Sequence, residues 1–100
     1  MSLEEIIDAL GRICNESVPA GKTNVYAEFR LIRDGDEVRE AVLGANRDGL
    51  IFLAIQCLKL AETGLPGSQY HFDEAGVAAL ADIPLVVARR RADWEEQDAT

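Results

Sequence analysis

The chain has 100 residues, 48% hydrophobic and 28% charged, a balance typical of one globular domain and not of a disordered or collagen-like chain. Eighteen acidic against ten basic residues give a net charge of −8, which disfavours binding to nucleic acid or an anionic membrane and favours a basic protein partner. The two cysteines form no CxxC pair, so a structural zinc site is not expected, and we predict that both are reduced core residues.

A first amphipathic helix is predicted over about residues 3–15. Ser2 and Glu5 have the spacing of a capping box, and apolar residues then recur at helical steps. The acidic start is unlike the basic beginning of a signal peptide. The longest apolar run, residues 50–55, is too short to span a bilayer. We therefore expect a cytoplasmic protein with no membrane contact.

A β-hairpin is predicted next, because residues 24–33 and 37–43 alternate in character around Asp34-Gly35. A two-residue turn at that dipeptide pairs Leu31 with Val38, but it also places Glu40 beside Phe29 on the apolar face, so the sequence leaves the register open. Four acidic residues gather at the hairpin. They favour either contact with a basic partner or simple solubility, and the candidate partner-binding residues are Asp34, Asp36, Glu37 and Glu40.

A second helix is predicted to begin at the N-cap Asn46 and to end at Thr63-Gly64. Within its stretch from Leu50 to Ala61 only Gln56 and Lys59 are polar, so the helix is apolar on almost every side. A sheet covers one side of a helix. We expect either the first helix or a second subunit to cover the rest. A second subunit there would make the protein a homodimer, which is the oligomeric state we expect.

Two more strands are predicted at residues 68–73 and 83–89, with a loop or a single helical turn from 74 to 82. The order α-β-β-α-β-β predicts an α+β two-layer sandwich: a mostly antiparallel four-stranded sheet with two helices on one face. We expect residues 1–91 to form one domain and residues 92–100 to form an acidic, frayed tail that carries Trp94.

His71 and Asp73 are the candidate catalytic pair. On a strand, residues two apart point the same way, so they could act as a general base with its orienting carboxylate or supply two metal ligands. The plainer interpretation, a strand histidine beside a carboxylate, is favoured, and we expect no metal and no cofactor. The turn at residues 44–49 is expected to cap a helix, and Arg89 to Arg91 are expected to neutralise nearby acids.

One further pattern spans about residues 38–91. A strand ends at Gly44, and Asn46 follows it. Gly49-Leu50 then opens a leucine-rich helix. After the helix come Pro66-Gly67, the run His71-Phe72-Asp73 and an aliphatic closing strand. In this the chain resembles the Imm32-like family, small bacterial proteins proposed as immunity proteins of polymorphic toxin systems. The resemblance implies a non-enzymatic protein that neutralises a cognate toxin by binding it.

Three functions follow from the sequence. The first is a small bacterial interaction protein with a basic partner, such as a toxin. The second is a small enzyme or ligand-binding module that uses His71 and Asp73. The third is an obligate dimer of unknown role. A deep pocket beside His71 favours the enzyme, and a flat acidic face favours the binding protein.

Overall fold

The structure is a computed structural model and describes residues 1–19, 21–72 and 78–91. It contains two helices and five strands. In chain order these are α1 (Leu3–Ile13), β1 (Ala27–Asp34), β2 (Glu37–Ala45), α2 (Arg47–Thr63), β3 (Gln69–Phe72), β4 (Leu80–Ala81) and β5 (Leu85–Ala88).

Both helices begin at the residues that the sequence predicted. Ser2 caps α1: its hydroxyl accepts from the backbone N–H of Glu5, whose side chain reaches back to Ser2 and completes the capping box. Asn46 caps α2, and its side chain accepts from the N–H of Gly49 at 2.8 Å. The predicted C-cap of α2, Gly64, is also confirmed.

The predicted hairpin is present, but it does not turn at Asp34-Gly35, and the structure decides the register that the sequence left open. Asp34 pairs with Glu37, so the turn residues are Gly35 and Asp36. Gly35 has φ +63°, a conformation that suits the first turn position of a two-residue hairpin when glycine occupies it. The strand β2 also contains a bulge at Arg39.

These two changes move the partners along the strands. Leu31 lies opposite Ala41, and Val38 lies opposite Arg33. Glu40 lies opposite Ile32 and therefore leaves the face that contains Phe29. The bulge thus moves Glu40 off the apolar face, where the simple turn would have placed it.

The mixed α+β composition is confirmed, whereas the single four-stranded sheet was wrong. The strands form a three-stranded sheet in the order β2-β1-β4 and a separate two-stranded sheet of β3 and β5. The extra strand β4 runs parallel to β1, with Leu80 opposite Glu28. Because β4 takes the second edge of β1, β3 cannot pair there and pairs only with β5.

The core lies where the two sheets meet. Ala27, Phe29, Phe72 and Ala78 are buried in one cluster, and Leu53 of α2 packs against it. The helix α1 packs mainly on α2, which is one of the two coverings that the sequence predicted for that helix. It does not lie beside α2 on the face of a sheet, and none of its residues is fully buried. The strongly amphipathic α1 therefore forms a third, outer layer. Within the described residues no helix is long and apolar enough to cross a membrane.

Candidate interaction surface

The outer part of the β1–β2 hairpin extends away from the rest of the protein. Along β1 the residues are buried or half-buried from Ala27 to Phe29 and exposed beyond Leu31. Every residue from Ile32 to Leu43 is exposed. We call residues 32–43 the hairpin arm. Because no other described element covers either side of it, both of its faces are open to a partner.

The hairpin arm brings the four predicted acidic residues together. Arg39 lies between two of them, with its Nη2 3.3 Å from Asp34 Oδ2 and 3.6 Å from Glu37 Oε2. Asp36 and Glu40 form no ion pair in the described part of the chain. With Arg33 and Arg39 included, the arm has four carboxylates against two guanidinium groups. Its charge is thus negative, and Asp36 and Glu40 are the carboxylates open to a new cation.

The arm also exposes apolar side chains on both faces. Leu43 lies opposite Phe29 on the core-facing side, yet it is 43% exposed. Val42 and Ile32 lie on the other face, where their strand partners are Arg30 and Glu40. Apolar residues with a charged rim are typical of protein–protein contact surfaces.

A hydrogen-bonded joint fixes the base of the hairpin to α2. Asn46 Oδ1 accepts from Tyr26 N at 3.1 Å as well as from Gly49, and Asn46 Nδ2 donates to Asn24 O at 2.6 Å. A Cβ at Gly49 would overlap the carbonyl oxygen of Tyr26, so only glycine allows this approach. The turn at residues 44–49 is a structural connection, as the sequence predicted.

Asp48 is the buried charge of this joint and was not predicted as such. Its side chain is 1% exposed and accepts from Asn24 Nδ2 at 3.1 Å and from Arg47 Nη1 at 3.2 Å. Arg47 also binds Glu16 at 2.7 Å, which ties the end of α1 to the start of α2. Asp48 follows an N-cap, and sequence alone cannot distinguish an exposed first-turn acid from a buried one.

The two cysteines have different environments. Cys14 is half-buried, and its Sγ lies 3.5 Å from the carbonyl oxygen of Asp48. Burial raises the pKa of the Cys14 thiol above its usual value, Asp48 raises it further, and Arg47 opposes the shift. Cys57 is exposed. The prediction that both thiols belong to the core was therefore wrong for Cys57, because nothing described covers that side of α2.

His71 lies on β3 opposite Val86, and its side chain is exposed. Asp73 lies outside the described residues, so the predicted pair stays a prediction. A cavity of about 490 Å³ lies between α1 and α2, lined by apolar residues such as Ile7 and by charged ones such as Asp8 and Lys59, and His71 is not among its lining residues. Within the described residues no three His, Cys, Asp or Glu side chains are grouped as metal ligands.

Arg89 has a role that the sequence did not indicate. Its Nη1 donates to the carbonyl oxygens of Ala61 at 2.9 Å, Leu60 at 3.1 Å and Gly64, at the C-terminal end of α2. A guanidinium group there satisfies carbonyls that the helix leaves unpaired, and it suits the negative end of the helix dipole. Trp94 and the acids predicted to pair with this basic run lie outside the described residues.

Comparison of the chain with known proteins finds no matching family model, no matching curated protein and no matching solved structure. The resemblance to Imm32-like immunity proteins therefore stays a prediction.

Proposed function

We propose that this chain is a cytoplasmic protein-binding module that contacts a basic protein partner through its hairpin arm, as an immunity protein contacts a toxin. The observation that carries the proposal is the exposure of every residue from Ile32 to Leu43 on an arm that combines apolar and acidic side chains. The enzyme alternative depends on His71, which is exposed on β3, and on Asp73, which lies outside the described residues, so it stays a prediction.

Charge and apolar contact have separate parts in this interface. The net charge of −8 attracts a basic partner over a distance and speeds its association. Exposed apolar residues such as Ile32 and Val42 exclude water once contact is made and so slow dissociation. The two groups can be changed independently, because they are different residues of the arm.

The first test reverses charge on the arm. The immobilised chain is used to capture partners from the source organism, and the captured protein is then purified for binding measurements. Asp36→Lys with Glu40→Lys should slow association at least about tenfold at low salt and remove most of its salt dependence. The matched control is Glu4→Lys with Asp8→Lys, which makes the same change in net charge on exposed residues of α1.

A second pair of substitutions tests the apolar part. Ile32→Thr with Val42→Thr keeps the β-branched shape that suits a strand and removes the apolar ends. Dissociation should become about tenfold faster or more, equivalent to at least about 1.4 kcal/mol. Equal binding by the arm variants and the native chain contradicts the proposal, as does a loss of binding confined to the α1 control.

A further inference from the structure

One face of α2 is apolar and uncovered. Along it, exposed residues recur at steps of four, three and four, the spacing of one side of a helix, and two half-buried residues adjoin them. Leu50, the first residue of this series, is 55% exposed. We call this set the α2 face; it consists of the exposed Leu50, Ala54, Cys57 and Ala61 and the half-buried Ile51 and Leu58.

The other sides of α2 already have neighbours within the chain. Ile55 is buried and borders the cavity against α1, and Leu53 packs into the core between the sheets. A groove of about 290 Å³ separates α2 from β5 and runs along one margin of the α2 face, where it is lined by Cys57 and Val87. Among the described residues, this one side of the helix is therefore the side without a packed neighbour.

The charges at the two ends of the α2 face indicate which neighbour fits. Arg47 lies at its N-terminal end, with a side chain 56% exposed, and the exposed Glu62 lies at its C-terminal end. In an antiparallel pair of identical helices each Arg47 lies beside the partner's Glu62. The positive end of each helix dipole also lies beside the negative end of the other, which is favourable. A parallel pair would place like charges together. Arg47 keeps donors for this contact besides those it uses on Glu16 and Asp48.

Side-chain sizes along the α2 face favour the same arrangement. Steps of three and four residues form successive layers in a helix pair, and antiparallel packing matches the first residue of the series with the last. Leu50 then packs against the partner's Ala61, and Ala54 packs against the partner's Cys57. Each layer combines a larger side chain with a small one, or two small ones, so the two helices can approach closely.

We propose that two copies of this chain form a dimer by antiparallel packing of their α2 faces, about a two-fold axis that passes between Ala54 and Cys57. This contact is separate from the hairpin arm, so a dimer presents two arms. It also has the opposite salt response from binding of a basic partner. The face itself is apolar and each copy has a net charge of −8, so added salt relieves the overall repulsion by more than it weakens the exposed Arg47–Glu62 pairs, and the dimer becomes stronger.

The test is the solution mass of the full chain by light scattering or analytical ultracentrifugation. The native chain should have twice the 10.9 kDa of one copy. Leu50→Asp places a carboxylate against the partner's Ala61, and the mass should fall by half. Leu50 is largely exposed within one copy, so the far-UV circular dichroism of the variant should match that of the native chain. Leu65→Asp is the matched control, since Leu65 is 74% exposed, lies off the α2 face and should leave the dimer intact.

Cysteine chemistry tests the orientation. Ala54→Cys in the presence of native Cys57 should form a disulfide-linked dimer under mild oxidation, and adding Cys57→Ser should remove most of it. Alkylation of native Cys57 should slow as protein concentration rises, while that of Cys14 should not change. A native chain that stays monomeric at all concentrations overturns the proposal, as does a dimer that Leu50→Asp leaves intact or an Ala54→Cys chain that forms no cross-link.

Discussion

Single residues at the junction of β1 and α2 hold several backbone segments at once. Asn46 was predicted as a helix cap, and it is one, but its amide also joins the segment before β1 through Tyr26 and Asn24. Local sequence predicts the bond to Gly49, three residues away, because an N-cap is a local pattern. It cannot predict bonds to residues twenty positions earlier, since those depend on how the chain folds back.

Substitution of Asn46 should therefore cost more than the loss of an ordinary cap. Asn46→Ala removes three hydrogen bonds and should lower the free energy of unfolding by about 2–3 kcal/mol. Asn46→Asp keeps the two accepted bonds and loses only the donor to Asn24, so about 1 kcal/mol is expected. Urea unfolding followed by circular dichroism measures both. An equal loss in the two variants would contradict the importance that we assign to the accepted bonds.

At the scale of elements, the helices were predicted more accurately than the hairpin register. The ends of α1 and α2 depend on caps within a few residues, and the sequence contains those caps. The register of β1 and β2 depends on which two residues turn and on one bulge. A shift of the turn to Gly35-Asp36 and the extra residue Arg39 changed every pair along the strands.

The contact between Arg89 and α2 is the second prediction at this scale. Arg89→Gln removes the charged donor from the last carbonyls of the helix, and the free energy of unfolding should fall by about 1–3 kcal/mol. Arg90→Gln is the control: its side chain is exposed, and a change within about 0.5 kcal/mol is expected. Thermal and urea unfolding of the two variants measure this. If both variants lose the same stability, the general basic charge of the run matters and not the cap.

At the scale of the whole molecule, the flat shape leaves surfaces exposed and the negative charge opposes compact folding. The principal extents are 42 × 37 × 20 Å, and few of the described residues are fully buried. Such a shape leaves the hairpin arm and the α2 face uncovered. The net charge of −8 adds repulsion within each copy that opposes a compact state.

That repulsion makes stability depend on salt. Sodium chloride should raise the unfolding temperature of the Leu50→Asp variant by about 4–8 °C between low and physiological ionic strength, equivalent to about 1 kcal/mol. This variant is chosen so that association does not contribute. Sucrose at equal osmolarity serves as a non-ionic control for general solute effects. A fall with salt would mean that local ion pairs such as Arg47–Glu16 outweigh the overall repulsion.

The sequence by itself determined the α+β composition, the two helices with their caps, the hairpin and the gathering of acids at its end. Each of these depends on residues close together in the chain, where spacing, turn chemistry and charge act directly. The acidic part of the candidate site was predictable for the same reason.

Only the tertiary structure decided which surfaces stay open. β4 occupies an edge of β1 and so divides the strands between two sheets, α1 packs on α2, and Cys57 is left exposed. These outcomes depend on contacts between distant residues, whose relative energies a local pattern does not contain. The same contacts leave the hairpin arm and the α2 face uncovered, and both proposals depend on that exposure.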